Sequence, residues 1–212
     1  MSGPTKEEIE KFLATQHQNN DFPGKWYQGG ITFPPHDLVT ENPNGEVGDC
    51  RKIWDLLDLS PVDWENKTML DVGCATGFYA MEWVRRGGAS AHGFDCNPRS
   101  AEIASIFADW RGLTNASYSS ADFYKFDWKL KSYDVVFALQ ILYHIPNPER
   151  ALATVADATK KLLVLILRNK PPQNFWTLES LVRQLKENGF RMIYLKDGTT
   201  VQGKWVIKAE RI

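Results

Sequence analysis

Cysteine is scarce in this chain. Cys50, Cys74 and Cys96 are the whole complement, widely spaced and without a Cys-x-x-Cys pair. That excludes a disulfide framework and a cysteine-based zinc site, and it fits a reducing compartment, the cytoplasm. No metal site is expected. Charge of one sign is also lacking: 25 lysines and arginines stand against 26 acids, a formal net charge of −1. A molecule so balanced has no general field to hold bulk nucleic acid, although a local basic patch stays open. Long apolar runs are missing too. The longest, Leu162 to Leu167, is far too short to span a bilayer, and the N-terminus has no signal-peptide core. Neither an internal repeat nor a low-complexity tract occurs.

What is present is ordinary for a globular domain. With 212 residues, 43% hydrophobic and 24% charged, the chain can bury the core of one α/β domain with modest additions. Thr5-Lys-Glu-Glu8 is a capping-box pattern, and Ile9, Phe12 and Leu13 follow at helical spacing, predicting a helix from about Lys6 to Ala14. Residues Thr15 to Gly48 show no periodicity but contain Trp26, Tyr27 and Phe33. A long aperiodic segment with aromatics reads as a lid rather than a disordered linker.

Asp49 can cap a helix with Ile53, Leu56 and Leu57 on its apolar face, ending before Pro61. Strands are then expected at Met69–Val72, Ala89–Phe94, Ala116–Ser120, Tyr133–Leu139 and Lys161–Leu167. Helices are expected at Phe78–Arg86, Asn97–Trp110, Asn147–Thr159 and Thr177–Asn188, the last stopped by Gly189. Arg191–Lys196 and Lys204–Glu210 close the chain as a strand pair too tightly joined for a crossover, and so antiparallel. Strands alternating with helices require a mostly parallel sheet covered on both faces.

Ligands of such sheets bind where strands end, so the strand ends carry the functional argument. Met69-Leu-Asp-Val-Gly-Cys-Ala-Thr-Gly-Phe-Tyr-Ala80 runs from a buried strand through a tight turn bracketed by Gly73 and Gly77 into a helix. Asp71 lies inside this strand end, a costly place for a carboxylate unless something positive or hydrogen-bonding meets it. The second strand leads into Asp95, which can accept both hydroxyls of a ribose, and then Cys96 and Asn97. Cys74 and Cys96, although beside ligand loops, read as small packed residues rather than nucleophiles. The glycine spacing lacks the third glycine of the dinucleotide fingerprint, and bulky Phe78 and Tyr79 follow, so no pyrophosphate site results.

The first turn resembles motif I of the class I S-adenosylmethionine-dependent methyltransferases, Asp-x-Gly-x-Gly-x-Gly, with Ala75 in place of the middle glycine. The resemblance spans roughly Asp49 to Leu167. It implies a Rossmann-like, doubly wound, mostly parallel seven-stranded sheet with an antiparallel strand near the C-terminus, and S-adenosylmethionine as cofactor. It implies that Asp71, Gly73, Cys74, Ala75 and Gly77 cradle that cofactor and that Asp95, Cys96 and Asn97 hold its sugar. It gives Asp122 the adenine amino group, Phe123 a backbone N–H toward the base, and the backbone of Leu139 and Gln140 the methionine end. Leu142-Tyr143-His144 is similar to the branch containing the tRNA wobble-uridine carboxymethyl-transferring enzymes, where the tyrosine holds an extra carboxylate. Because the long insertion after the fifth strand is lacking, neither the carboxylated cofactor nor a tRNA acceptor carries over.

Methyl transfer needs an aligned acceptor and, for some acceptors, a proton acceptor. Tyr143 and His144 follow the fourth strand directly; His144 can serve as base or simply hold a loop carbonyl. Arg168, with Lys170 close by, ends the fifth strand and can meet a phosphate or carboxylate on the acceptor. Lys25, Trp26, Tyr27, His36 and Asp37 are the acceptor-side candidates of the lid. The chain thus divides into residues 1–48, a helix and lid or recognition segment whose removal to residue 40 should spare cofactor binding but abolish transfer, and 49–212, the cofactor-binding domain. The expected partner is a small-molecule or nucleoside acceptor. A silent cofactor-binding module and a nicotinamide-dependent oxidoreductase stand as alternatives.

Overall fold

The computed structural model describes residues 3–15, 28–40, 49–128, 132–169, 175–197 and 203–212. Its frame is one sheet of seven strands: β1 (Thr68–Val72), β2 (Ser90–Asp95), β3 (Ala116–Ser120), β4 (Tyr133–Leu139), β5 (Thr159–Arg168), β6 (Phe190–Lys196) and β7 (Lys204–Arg211). The order across the sheet is β3-β2-β1-β4-β5-β7-β6. The pairs from β3 through β5 are parallel, while β7 is antiparallel to both β5 and β6. The sheet therefore has one reversed strand, as the closing pair predicts. Strand order reverses between β1 and β4, which makes their carboxyl ends the natural ligand crevice.

Side-chain alternation explains why the inner strands read as continuous apolar runs. On β4 and β5, Val135, Phe137, Leu139, Leu162, Val164 and Ile166 enter one core. Their neighbours Val136, Ala138, Leu163, Leu165 and Leu167 enter the other. A strand covered on both faces needs apolar residues at every position, not every second one. The first core holds α4 (Phe78–Arg85) and α5 (Pro98–Trp110); the second holds α6 (Pro148–Ala158) and α7 (Leu178–Glu187).

Local signals set most boundaries. In α1 (Lys6–Thr15), Thr5 and Glu8 form the expected box, with Thr5 N donating to Glu8 Oε2 at 2.7 Å. Asp49 accepts from Arg51 N at 2.9 Å and opens α2 (Cys50–Leu56). Gly189 follows α7 with φ +78°, a left-handed turn that favours glycine. A short α3 (Pro61–Trp64) lies beyond the expected stop before Pro61. Ser60 and Asp63 form its capping box and Pro61 occupies its first turn, where a missing N–H costs nothing.

One reading is corrected. Cys96 is exposed rather than packed, because the chain bends outward there between β2 and α5, whereas Cys50 and Cys74 are buried. The described part of the 1–48 segment is anchored in the core. Ile9, Ile31 and Phe33 are at most 1% exposed, and Phe33 packs edge-on against Phe107 of α5 at 4.9 Å. Removing residues 1–40 would therefore unseat part of the first core. Lys25, Trp26 and Tyr27 lie outside the described residues, as does Lys170.

Candidate functional site

The turn after β1 is closed on itself. Gly73 N and Cys74 N both donate to Phe94 O, at 2.9 and 3.0 Å, and Gly77 N donates to Cys74 O at 2.9 Å. Ala75 N donates to Asp95 Oδ2 at 2.9 Å. Gly73, Ala75 and Gly77 have φ of +70°, +48° and +84°, so the alanine adopts the left-handed geometry that its replaced glycine would take freely. A Cβ on Gly77 would lie 2.7 Å from the Tyr118 ring, and one on Gly73 would lie 2.8 Å from Ile141 Cγ1. Both glycines are demanded by space as well as by φ.

The N-terminus of α4 is closed as well. Gln28 Oε1 accepts from Phe78 N at 3.0 Å and from Thr76 Oγ1 at 3.1 Å. A dinucleotide would place its pyrophosphate on free N–H groups at such a helix end. Here those of Gly73, Cys74, Ala75, Gly77 and Phe78 are engaged within the protein. Gln28, a residue that sequence reasoning missed, thus occupies the first of these helix-end donors.

Three carboxylates surround this turn. Asp71 is 2% exposed, and its Oδ2 has no hydrogen-bond partner among the described residues. Burial, and after it the charge of Asp95, pushes the Asp71 carboxyl up to about 8. Asp95 spans the loop and the next helix, accepting from Ala75 N through Oδ2 and from Asn97 N through Oδ1, both at 2.9 Å. Asn97 in turn caps α5 by accepting from Arg99 N. Asp122 is exposed and accepts from Tyr124 N at 2.9 Å, capping a 3-10 turn at Phe123–Lys125, while Phe123 is buried. Cys74 is buried between the acids, and burial raises its thiol pKa further than their charges do; it is no nucleophile.

A cationic group occupies the next part of the same edge. Leu139, the last residue of β4, is buried, and Gln140 turns the chain with φ +61°. Gln140 Oε1 accepts from Lys204 Nζ. Lys204, at the start of β7, pairs directly with Arg168 at the end of β5. The Arg168 guanidinium lies over the Tyr143 ring at 5.1 Å, and its Nε is buried without a hydrogen-bond partner among the described residues. Tyr143 is 6% exposed and touches exposed His144 ring to ring at 4.5 Å. Partial burial first, then Arg168 and Lys204, holds the His144 pKa below its ordinary value of 6.5. Lys204 is likewise lowered, by burial and then by Arg168.

The structure thus brings Tyr143, His144, Arg168 and Gln140 together and adds Lys204, which the sequence reading passed over as the first residue of a strand. It does not bring His36 to them. His36 Nε2 lies 3.2 Å from Pro4 O, beside a hollow of about 370 Å³ lined by Thr32, Pro34, Asp37 and neighbours. S-adenosylmethionine, with a cationic sulfonium and an ammonium, fits the acidic part of the edge. The buried Asp71 oxygen, without a partner among the described residues, and the Asp71–Asp95 repulsion call for positive charge.

Comparison with known proteins agrees. A family model described as "Methyltransferase domain" matches residues 63–204. A ubiquinone biosynthesis O-methyltransferase of Neisseria meningitidis serogroup C (strain 053442) is 28% identical over 116 residues, 53% of this chain and 49% of that protein. A tRNA U34 carboxymethyltransferase of Desulfotalea psychrophila is 26% identical over 117 residues, 55% of this chain and 37% of that protein. The chain spans about half the length of the first curated relatives it matches. Magnesium protoporphyrin IX methyltransferase from Synechocystis PCC 6803, with bound S-adenosylmethionine, shares the fold at a TM-score of 0.63 and 18% identity, covering 76% of this chain and 77% of that one. With the motif, the sheet order and this match in hand, the chain belongs to the methyltransferase-domain family of S-adenosylmethionine-dependent enzymes.

Proposed function

We propose that the protein transfers a methyl group from S-adenosylmethionine to a small-molecule or nucleoside acceptor. The observation that carries this reading is the closed turn at Gly73–Gly77 beside Asp71 and Asp95, a cradle for a cationic nucleoside without phosphate. Bound S-adenosylmethionine supplies an electrophilic methyl carbon, whose bond to sulfur breaks as the acceptor's lone pair bonds to it, leaving a thioether. Asp95 orients the sugar while bracing the loop, and Asp122 offers its second oxygen to the adenine amino group. Tyr143 borders the acceptor. His144, held neutral by its surroundings, takes the proton of a hydroxyl or amine acceptor through an unprotonated ring nitrogen. Which nitrogen accepts is a matter of tautomer.

The N-terminal residues 1–48 enter this reading in a narrower role. Gln28 joins that segment to the donor loop, Ile31 and Phe33 anchor it, and acceptor recognition falls to Lys25, Trp26 and Tyr27. No described helix is long and apolar enough to cross a membrane. The three free cysteines suit the cytoplasm, where we place the enzyme. Incubating the protein with methyl-labelled S-adenosylmethionine and fractionated cell extract should yield S-adenosylhomocysteine and a labelled product in the same fraction. Stabilisation by NADH and not by S-adenosylhomocysteine in a melting assay would overturn the reading.

A further inference from the structure

Arg168 and Lys204 present an unusual energetic situation. They are direct partners in the antiparallel β5–β7 pairing, so their side chains leave the same face of the sheet. Like charges placed opposite one another across strands are destabilising. Ion pairing normally relieves this, yet no carboxylate among the described residues pairs with either. Lys204 donates to the neutral Gln140 amide, Arg168 lies on the Tyr143 ring, and Asp197, just past β6, accepts from Asn169 Nδ2 at 2.9 Å. The third titratable group of the cluster, His144, is repelled by both cations. Two buried polar atoms, Arg168 Nε and Asn169 Oδ1, have no hydrogen-bond partner among the described residues.

Leaving the Arg168 Nε donor buried without a partner and two cations opposed costs stability that no other described group recovers. The arrangement becomes favourable once an oxyanion enters. A guanidinium fork and an ammonium can share its oxygens, and Gln140 and Tyr143 hold the two cations in place meanwhile. The cluster lies at the carboxyl end of β4 and β5, alongside His144, where the acceptor must stand if the protein is a methyltransferase. We infer that Arg168 and Lys204 form a seat for a carboxylate or phosphate borne by the acceptor, so that the acceptor substrate is an anion. This deepens the proposed function and rests on it only for the statement that the anion is the acceptor; the seat itself rests on the β5–β7 pair.

The test uses the full chain loaded with S-adenosylhomocysteine, titrated calorimetrically with 4-hydroxybenzoate, its neutral analogue 4-hydroxybenzamide, and inorganic phosphate. The expected result is binding of 4-hydroxybenzoate, weaker binding of phosphate competing with it, and at least about tenfold poorer binding of the amide. Arg168→Gln and Lys204→Gln should each weaken the benzoate by about tenfold or more, with Arg168→Lys intermediate. S-adenosylhomocysteine affinity, the control that each variant has folded, should change less than about twofold. Equal binding of benzoate and benzamide, undiminished binding in the glutamine variants, or failure of both anions to bind would overturn the inference. Phosphate that binds alone without competing would show an anion site that is not the acceptor's. Failure of S-adenosylhomocysteine to bind while the anions still compete would instead sink the methyltransferase reading and leave the seat standing.

Discussion

The two parts of the strand-end edge are built on the same principle with opposite charge. Around β1 and β2 stand Asp71, Asp95 and, beyond β3, Asp122; around β5 and β7 stand Arg168 and Lys204. Each group repels itself. The Asp71 carboxyl is pushed up to about 8 partly by Asp95, and the Lys204 ammonium is lowered partly by Arg168. Each leaves a buried polar atom without a partner among the described residues, Asp71 Oδ2 on one side and Arg168 Nε on the other. A formal net charge of −1 conceals this polarity. The lesson is that repulsion within each group favours a ligand of the other sign, which matches the proposed cationic donor on the acidic side and the proposed anionic acceptor on the basic side.

The largest expected break of this comparison comes from Asp95→Ala. It removes the acceptor of Ala75 N and of Asn97 N together with the proposed ribose contact. Hydrogen bonds to charged groups are worth about 1.5–3 kcal/mol each, so S-adenosylhomocysteine affinity should fall by roughly 100-fold. Isothermal titration checks it; a fall below about threefold would mean that Asp95 serves the loop and not the ligand. Gln28→Ala sharpens the comparison on the structural side. It leaves Phe78 N and Thr76 Oγ1 without their buried acceptor, a cost of about 1–3 kcal/mol, or roughly 3–10 °C in melting temperature for a chain of this size. Thermal melts without ligand should show the loss, and the basic side should keep its 4-hydroxybenzoate affinity.

The electrostatic link between the basic pair and the base is tested by pH. Burial first, and the nearby cations after it, disfavour the His144 imidazolium, so the acid limb of kcat/KM should fall below pH 6.5, the ordinary histidine value. Removing either cation by Arg168→Gln or Lys204→Gln must raise the His144 pKa and carry that limb upward. A limb that stays in place or moves down would show that His144 is not the titrating group, and His144→Asn should then leave the profile unchanged.

Much of this architecture was legible because periodicity and strand ends are local facts. The run Tyr133–Leu139 coincides with β4, and the acids at positions 71, 95 and 122 could be placed at strand ends by counting. The unread parts are those made by contacts between distant segments. Gln28 reaches Phe78 across 50 positions of sequence. Lys204 gains its meaning only when β7 inserts between β5 and β6 and sets it opposite Arg168. Ile31 and Phe33 sit in an aperiodic stretch, so no pattern marks them as core, although both are fully enclosed by neighbouring helices and loops. Cys96 is a case of the reverse kind, a residue type usually buried that a bend turns outward.

The smallest expected effect is also the most direct probe of the acidic side. Asp71 has a folded-state pKa of about 8 against an ordinary 3.8, so without ligand the folded chain holds this proton where the unfolded chain has released it. The contribution to stability is therefore fully present below about pH 4 and is lost as the pH rises through about 8. A bound ammonium reverses the preference by favouring the carboxylate. S-adenosylhomocysteine binding near pH 7 should then expel up to about one proton, and affinity should rise with pH toward 8. Calorimetry in two buffers of different ionisation enthalpy measures that proton. Asp71→Asn should release none and should flatten both the pH dependence of affinity and the decline in apo stability between about pH 4 and 8. Proton uptake on binding, or an unchanged release in the asparagine variant, would mean that Asp71 is not the group that senses the ligand.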